Sequence, residues 1–202
     1  LVAPVTSTAT VPPVSAAAAP RRLPTPPFRR YGTADGLPSS SAYAVVQDRD
    51  GAIWFGTKGG IARYDGVDFK VFRHAADDPG SLYNNGIASL LFDRAGRLWA
   101  AGLEAGLNRY DADTDRFIHW GHDPHDPASL ASDKVWAMAQ GADGSLWIGT
   151  ARGLDRMRPG GHGFEHVANP LLGSDPAAFG LVAAIQFDDH HQLWIGSSHG
   201  LF

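Results

Sequence analysis

Between Asp48 and Gly66 the chain alternates short apolar runs with polar turns in a fixed order, DRDGAIWFGTKGGIARYDG. A turn at Asp48-Arg49-Asp50-Gly51 leads into an apolar run that ends in Trp54. A Gly-Thr step and a second turn, Lys58-Gly59-Gly60, follow, and a further run ends in Tyr64-Asp65-Gly66. The pattern returns from Asp93 to Asp111, from Gly141 to Met157 and from Asp188 to Phe202, with its tryptophan at 54, 99, 147 and 194. Those tryptophans are 45, 48 and 47 residues apart. A period in that range marks an array of supersecondary units that bury their apolar faces against one another.

Each unit offers four strand-sized runs, which in the first are Tyr43–Gln47, Ala52–Gly56, Ile61–Tyr64 and Phe69–Phe72. The closing run recurs as Arg116–Trp120 and Gly163–Val167. Phe28–Tyr31 matches it, so the chain is predicted to open on the last strand of a unit whose earlier strands lie outside this sequence. No segment carries an apolar stripe of 3.6-residue period and helical length. Four short antiparallel strands per unit of this length predict an all-β fold of β-propeller blades, three full blades plus an incomplete fourth. The predicted bounds are 28–72, 73–120, 121–167 and 168–202.

The pattern assigns physical roles to the repeated positions. Each repeat tryptophan is expected to pack between neighbouring sheets. Gly60, Gly106, Gly153 and Gly200 recur where the second turn reverses tightly. Asp48, Asp93 and Asp188 recur as carboxylates capping the first turn. The third copy has Gly141 there, and the fourth has His191 where the others have glycine, so the last two blades carry weaker turn signals.

Residues 1–27 are Ala, Pro, Thr, Ser and Val without a period, a flexible leader or linker. Ser15–Ala19 has the small side chains of a signal-peptide end, but no continuous apolar stretch or basic segment precedes it. The segment is therefore read as following an export signal, or as a linker. A net charge of −4 without a basic run argues against a nucleic-acid surface. The absence of cysteine excludes disulfides, thiolate metal sites and a cysteine nucleophile. No apolar run is long enough to span a bilayer, so membrane attachment would come from segments outside this chain.

The consensus D-x-x-G-x-L/I-W-x-G-T-x-x-G-L/I-x-R-Y-D resembles the two-component regulator propeller repeat. The connectors HAADDPGSLYNNGIASL (His74–Leu90) and HDPHDPASLASDKVWAM (His122–Met138) are similar to that family's inter-blade segment. The opening FRRYGTADGLPSSSAYAVVQD (Phe28–Asp48) is similar to its first repeat, and the resemblance covers about 28–202. It implies a propeller commonly of seven blades, in the periplasmic, extracytoplasmic sensing part of a bacterial inner-membrane regulator. The output domain implied is a histidine kinase, sometimes fused to a response regulator, or a diguanylate cyclase, and the ligands implied are often carbohydrates. The repeat has no catalytic residues to carry over.

Three and a half blades do not close a ring of seven. Open strand edges predict self-association, with a dimer approximating an eight-bladed ring as one form. A strictly monomeric species across micromolar concentrations in light scattering would count against it.

Candidate chemistry lies where the chain varies within this constant frame. One set precedes or opens each innermost strand: Ser40 and Tyr43, Asn84 and Asn85, Asp133 and Trp136. The other is the second turn: Lys58, Glu104, Arg152 and His199. Aromatics beside amides and charged groups suit a small molecule or saccharide, through stacking on a sugar's apolar face and hydrogen bonds to its hydroxyls. His119, His122 and His125, with Asp123 and Asp126 interleaved, have the residue types of a zinc site. Pro124 and Pro127 break any helix that would align them, and the connector recurs at His74, so connector structure is the expected role. His190 and His191 are adjacent and would chelate together only from a turn. No cofactor, metal or catalytic residue is expected. The alternatives are a propeller enzyme (a lyase or glycoside-active protein, with Glu104 or a channel histidine as its acid or base) and a pure protein-interaction scaffold.

Overall fold

A computed structural model describes residues 28–169 and 171–202. The leader expected over 1–27 lies outside the described residues. The first sheet comprises β1 (Ala42–Gln47), β2 (Ile53–Thr57), β3 (Gly60–Tyr64) and β4 (Phe69–Phe72). The second comprises β5 (Ile87–Phe92), β6 (Leu98–Gly102), β7 (Leu107–Asp111) and β8 (Arg116–Trp120). The third is β9 (Val135–Gln140), β10 (Leu146–Thr150), β11 (Gly153–Met157) and β12 (Glu165–Val167), and the fourth is β13 (Val182–Phe187), β14 (Leu193–Ser197) and β15 (Gly200–Leu201). Each sheet is an antiparallel meander in sequence order, and the first strands of successive sheets lie side by side. These are blades of a β-propeller with β1, β5, β9 and β13 innermost. Two 3₁₀ turns, Thr33–Asp35 and Pro176–Phe179, are the helical elements described.

The expected strand at Phe28–Tyr31 does not form. No strand among the described residues pairs with this run, and Tyr31 packs its ring on Tyr64 and Phe69, with centroids 5.3 and 5.7 Å away.

The repeat tryptophan fills the seam between sheets. Trp54 stacks on Phe72 at 5.7 Å and meets Tyr110 of the next sheet at 5.0 Å, in a cluster with Ile87, Leu90 and Leu98. Trp99 lies in the next seam with Val135, Leu146 and Ile148. Burying each such side chain contributes roughly 1.5–3 kcal/mol. Trp194 departs from the expectation. It is 46% exposed where Trp54 and Trp99 are 3%, because no described sheet covers that face. Val45 of β1 is likewise 64% exposed, where its counterpart Leu90 is 9%.

The turn aspartates do more than cap. Asp48 Oδ1 accepts from the amides of Asp50 and Ala52, and Oδ2 accepts from the Trp54 indole at 2.9 Å. Asp93 holds Trp99 at 3.0 Å and Asp188 holds Trp194 at 3.0 Å in the same way. One carboxylate thus fixes both the hairpin and the ring that fills the seam. The third sheet, with Gly141 in that place, uses Asp143 instead, which takes the amide and hydroxyl of Ser145. Arginines strap neighbouring turns together: Arg49 donates to the Arg94 carbonyl at 2.6 Å, and Arg94 to the carbonyls of Gly141 and Ala142 at 3.0 Å. Ala142 cannot continue the series to the fourth sheet.

The substituted glycine of the fourth turn has a measurable consequence. His191 adopts φ 61°, in the left-handed region where Gly51, Gly96 and Gly144 sit in the other turns. A side chain there costs about 1–2 kcal/mol, against 0.5–1 kcal/mol of extra unfolded-state entropy for glycine. His191→Gly is expected to raise stability by roughly 0.5–1 kcal/mol in chemical denaturation. A variant no more stable than the parent would contradict this.

Candidate functional site

The meander brings the start of each innermost strand to the same end of the sheet as the turn between its second and third strands. Backbone bonds tie the two together: Lys58 N donates to Ser41 O at 3.1 Å, Ala151 N to Lys134 O at 2.9 Å and Ser198 N to Leu181 O at 2.8 Å. Two of these turns are braced by a hydroxyl. Thr57 Oγ1 donates to Gly60 O at 2.8 Å and Thr150 Oγ1 to Gly153 O at 3.0 Å. Gly60, Gly106, Gly153 and Gly200 all have positive φ, and a Cβ at Gly60 would stand 2.2 Å from the Phe72 carbonyl oxygen.

The register of every innermost strand shifts by one residue at its start. The unpaired residue is Tyr43 in β1, Ala88 in β5, Trp136 in β9 and Ala183 in β13. Such a bulge re-aims one side chain out of the strand's alternation. Tyr43 is 58% and Trp136 39% exposed, and the small Ala88 lies on the strand between theirs. The shifts place two exposed rings, with a small residue on the strand between them, at the axial end of three successive blades. Around it Lys58 and Arg152 are exposed, with no ion pair among the described residues. Glu104, at φ 61°, lies 3.8 Å from Lys134.

The other sequence candidates sit at this end with their polar atoms engaged. Asn85 accepts the His74 amide at 2.8 Å, and Asp133 accepts the His122 amide at 2.6 Å, each pinning a connector. Asn84 accepts the Asn85 amide at 2.6 Å. His199 Nδ1 is 2.7 Å from the Ala178 carbonyl. The connector histidines act alike, His74 Nδ1 lying 2.7 Å from Leu82 O and His122 Nδ1 2.6 Å from Leu130 O. Among the described residues no three His, Asp or Glu side chains come together to hold a metal ion.

Three features escaped the sequence reading. The bulge is one; aligning the copies puts Trp136 on Tyr43, but nothing in that alignment reveals the register shift. A second is a pair of buried polar residues on equivalent strands. Asn108 accepts the Tyr83 amide at 2.9 Å, and Asp155 accepts the Ala131 amide at 2.8 Å and lies 2.7 Å from His166 Nδ1. Both hold the preceding connector onto the sheet. Burial pushes the Asp155 carboxyl above its usual range, against the opposing pull of the Ala131 amide and of His166. Burial, with the Asp133 charge behind it, raises the Tyr83 phenol and keeps it protonated. The third feature is Arg109, the arginine of the R-Y-D motif in the second sheet, which has no ion pair among the described residues.

Comparison with known proteins agrees with this architecture. The two component regulator propeller model matches residues 36–59 and 129–152. A stretch of 55 residues is 36% identical to histidine kinase P4 of Formosa agariphila, covering 27% of this chain and 4% of that protein. The extracellular domain of a protein described as a hybrid two component system of B. thetaiotaomicron superposes with a TM-score of 0.75 at 26% identity, over 86% of this chain and 24% of that one. Virginiamycin B lyase from Staphylococcus aureus shares the fold at 15% identity, with a TM-score of 0.57, over 83% of this chain and 56% of that one. The chain thus spans about a quarter or less of the two-component relatives it resembles.

Proposed function

Because the chain carries two-component regulator propeller repeats, we propose that it is part of the extracytoplasmic sensor of a bacterial signalling protein and binds a small molecule or saccharide at the axial end of its blades. The observation that carries this reading is the pair of bulged aromatics, Tyr43 and Trp136, flanking Ala88. A rigid sheet end with two exposed rings and uncommitted cations is suited to stacking on a sugar ring and bonding its hydroxyls. The compartment in this reading is the periplasm. The output domain would be a histidine kinase or diguanylate cyclase in the remainder of the protein, and occupancy would act on it by favouring one of two arrangements of the sensor. The region itself is non-catalytic in this account. Its likeness to a lyase is one of fold, and Glu104, the one acidic side chain of the second turns, sits exposed beside Lys134.

Thermal unfolding in the presence of a panel of neutral and acidic oligosaccharides tests the proposal. At least one is expected to raise the melting temperature in a concentration-dependent way. Trp136→Ala and Tyr43→Ala should each weaken that ligand roughly 3- to 10-fold, the equivalent of about 0.5–1.5 kcal/mol of aromatic contact, while unfolding normally without it. A shift unchanged in both variants, or no shift with any member of the panel, would leave the scaffold reading as the better one.

A further inference from the structure

Arg63, Arg109 and Arg156 occupy the same position on the third strand of their sheets, each over the repeat tryptophan of its own sheet. Arg63 has a carboxylate, Asp48, at 3.5 Å, and Arg156 has Asp143 at 2.5 Å. Arg109 has none within ion-pair distance among the described residues. The cause is local. Asp93 would be its partner by analogy with Asp48, but Arg97 donates Nε to that carboxylate at 2.7 Å, from a position held by Ala52 in the first sheet and Ser145 in the third. Asp111, two residues on, is engaged by the Thr114 hydroxyl and the Asp113 amide.

Arg109 is held in place nonetheless. Its guanidinium lies 5.7 Å from the Trp99 ring and 5.8 Å from the Trp120 ring, which themselves stack at 5.7 Å. Its N–H groups make no hydrogen bond among the described residues, and Asp111 acts on it only as a nearby charge. The group lines a cavity of about 180 Å³ in the seam between the second and third sheets, at the end away from Tyr43 and Trp136. Arg97, Arg158, Gln140 and the two tryptophans share the lining with the carboxylate of Asp93; Arg97 is paired with Asp93 and Arg158 with Glu165, which leaves Arg109 as the unpaired cation of the recess. A half-buried guanidinium with unmet donors, oriented by two rings in a positively charged recess, fits a planar two-oxygen acceptor.

We propose that this recess binds a small oxyanion through Arg109 and Arg97, with the tryptophan pair walling the body of the molecule. Its size suits a monosaccharide acid or free phosphate. The inference does not rest on the sensor reading, because the residues and the end of the sheet are different.

Calorimetric titration at low ionic strength with glucuronate, glucose and inorganic phosphate tests it. Saturable millimolar or tighter binding of glucuronate or phosphate, with none of glucose, is expected, and the ranking of the two identifies the source of the oxyanion. The apolar walls predict that glucuronate is the tighter. Arg109→Gln should weaken binding at least about tenfold. Loss of the cation–π contacts could unfold that variant, so Arg97→Ala provides the second arm. It restores the Ala52 arrangement, frees Asp93 to pair with Arg109, and should abolish binding with the fold intact. Trp136→Ala should leave this binding unchanged. The proposal is overturned if wild type binds neither anion, if glucose binds as well as glucuronate, or if Arg97→Ala binds as wild type does.

Discussion

Asp93→Ala is expected to lower the stability of the chain by about 3 kcal/mol in chemical denaturation. The Asp93 side chain is 1% exposed and accepts three bonds, from the Arg97 amide at 2.9 Å, the Arg97 Nε at 2.7 Å and the Trp99 indole at 3.0 Å. Truncation uncaps the turn, strands a buried indole N–H and leaves Arg97 without its partner. The same carboxylate gives a pH dependence. Burial alone would raise its pKa, but the indole, the amide and the guanidinium outweigh that and hold it below 3.8. A carboxylate with a depressed folded pKa contributes stability that is fully present above the unfolded value. That contribution is lost as the pH falls through the folded one. Wild type should therefore lose stability below about pH 4, and the deficit of Asp93→Ala relative to wild type should shrink over the same range. A substitution costing less than about 1 kcal/mol, or a deficit constant down to pH 2, would contradict the account. Asp188→Ala is expected to cost far less, because the Asp188–Trp194 pair lies in solvent.

Asp155 provides the second large effect, and it separates the need for an acceptor from the need for a charge. Asp155→Ala removes the acceptor for the Ala131 amide and the partner of His166 from a site 1% exposed, and should cost about 2–4 kcal/mol. Asp155→Asn should stay within about 1 kcal/mol of wild type at pH 7. Asn108 shows that an amide in this place can accept from a connector N–H and donate to carbonyls, here those of Ala100 and Ala105. The sign with pH is opposite to that of Asp93. Because burial raises the folded pKa, ionising Asp155 is a cost carried above that pKa and relieved as the pH falls towards 3.8. Asparagine carries no such cost at any pH. The Asn variant should compare best with wild type at neutral pH and lose ground on acidification. Asn and Ala variants equally destabilised at pH 7 would show that charge, not acceptor geometry, is what the site requires.

The period of Trp54, Trp99, Trp147 and Trp194 made the blades legible, because each copy states the same turn chemistry at the same phase. The strands at Phe69–Phe72 and Arg116–Trp120 formed within the bounds the pattern implied. The third outer strand shortened to Glu165–Val167 and the run at Phe28–Tyr31 is irregular, because the extent of an outer strand is set by pairing, which local pattern does not encode. The binding end was legible as a set of variable positions, but their division of labour was not. Asn85 and Asp133 have the chemistry of ligand contacts, yet their oxygens are spent on connector amides. Tyr43 and Trp136 owe their outward aim to a register shift that only pairing reveals. The freedom of Arg109 depends on Arg97, twelve residues away in sequence, taking the carboxylate whose equivalent, Asp48, pairs with Arg63 in the first sheet. Such competition between neighbours leaves no periodic trace.

Hydrogen–deuterium exchange with and without the most stabilising oligosaccharide tests the central claim most directly. The account predicts protection at 41–43, 57–60, 134–136 and 150–152, the segments that meet at the axial end of the first and third blades. Protection confined to the opposite turns at 93–97 and 158–162, or none above background, would contradict it.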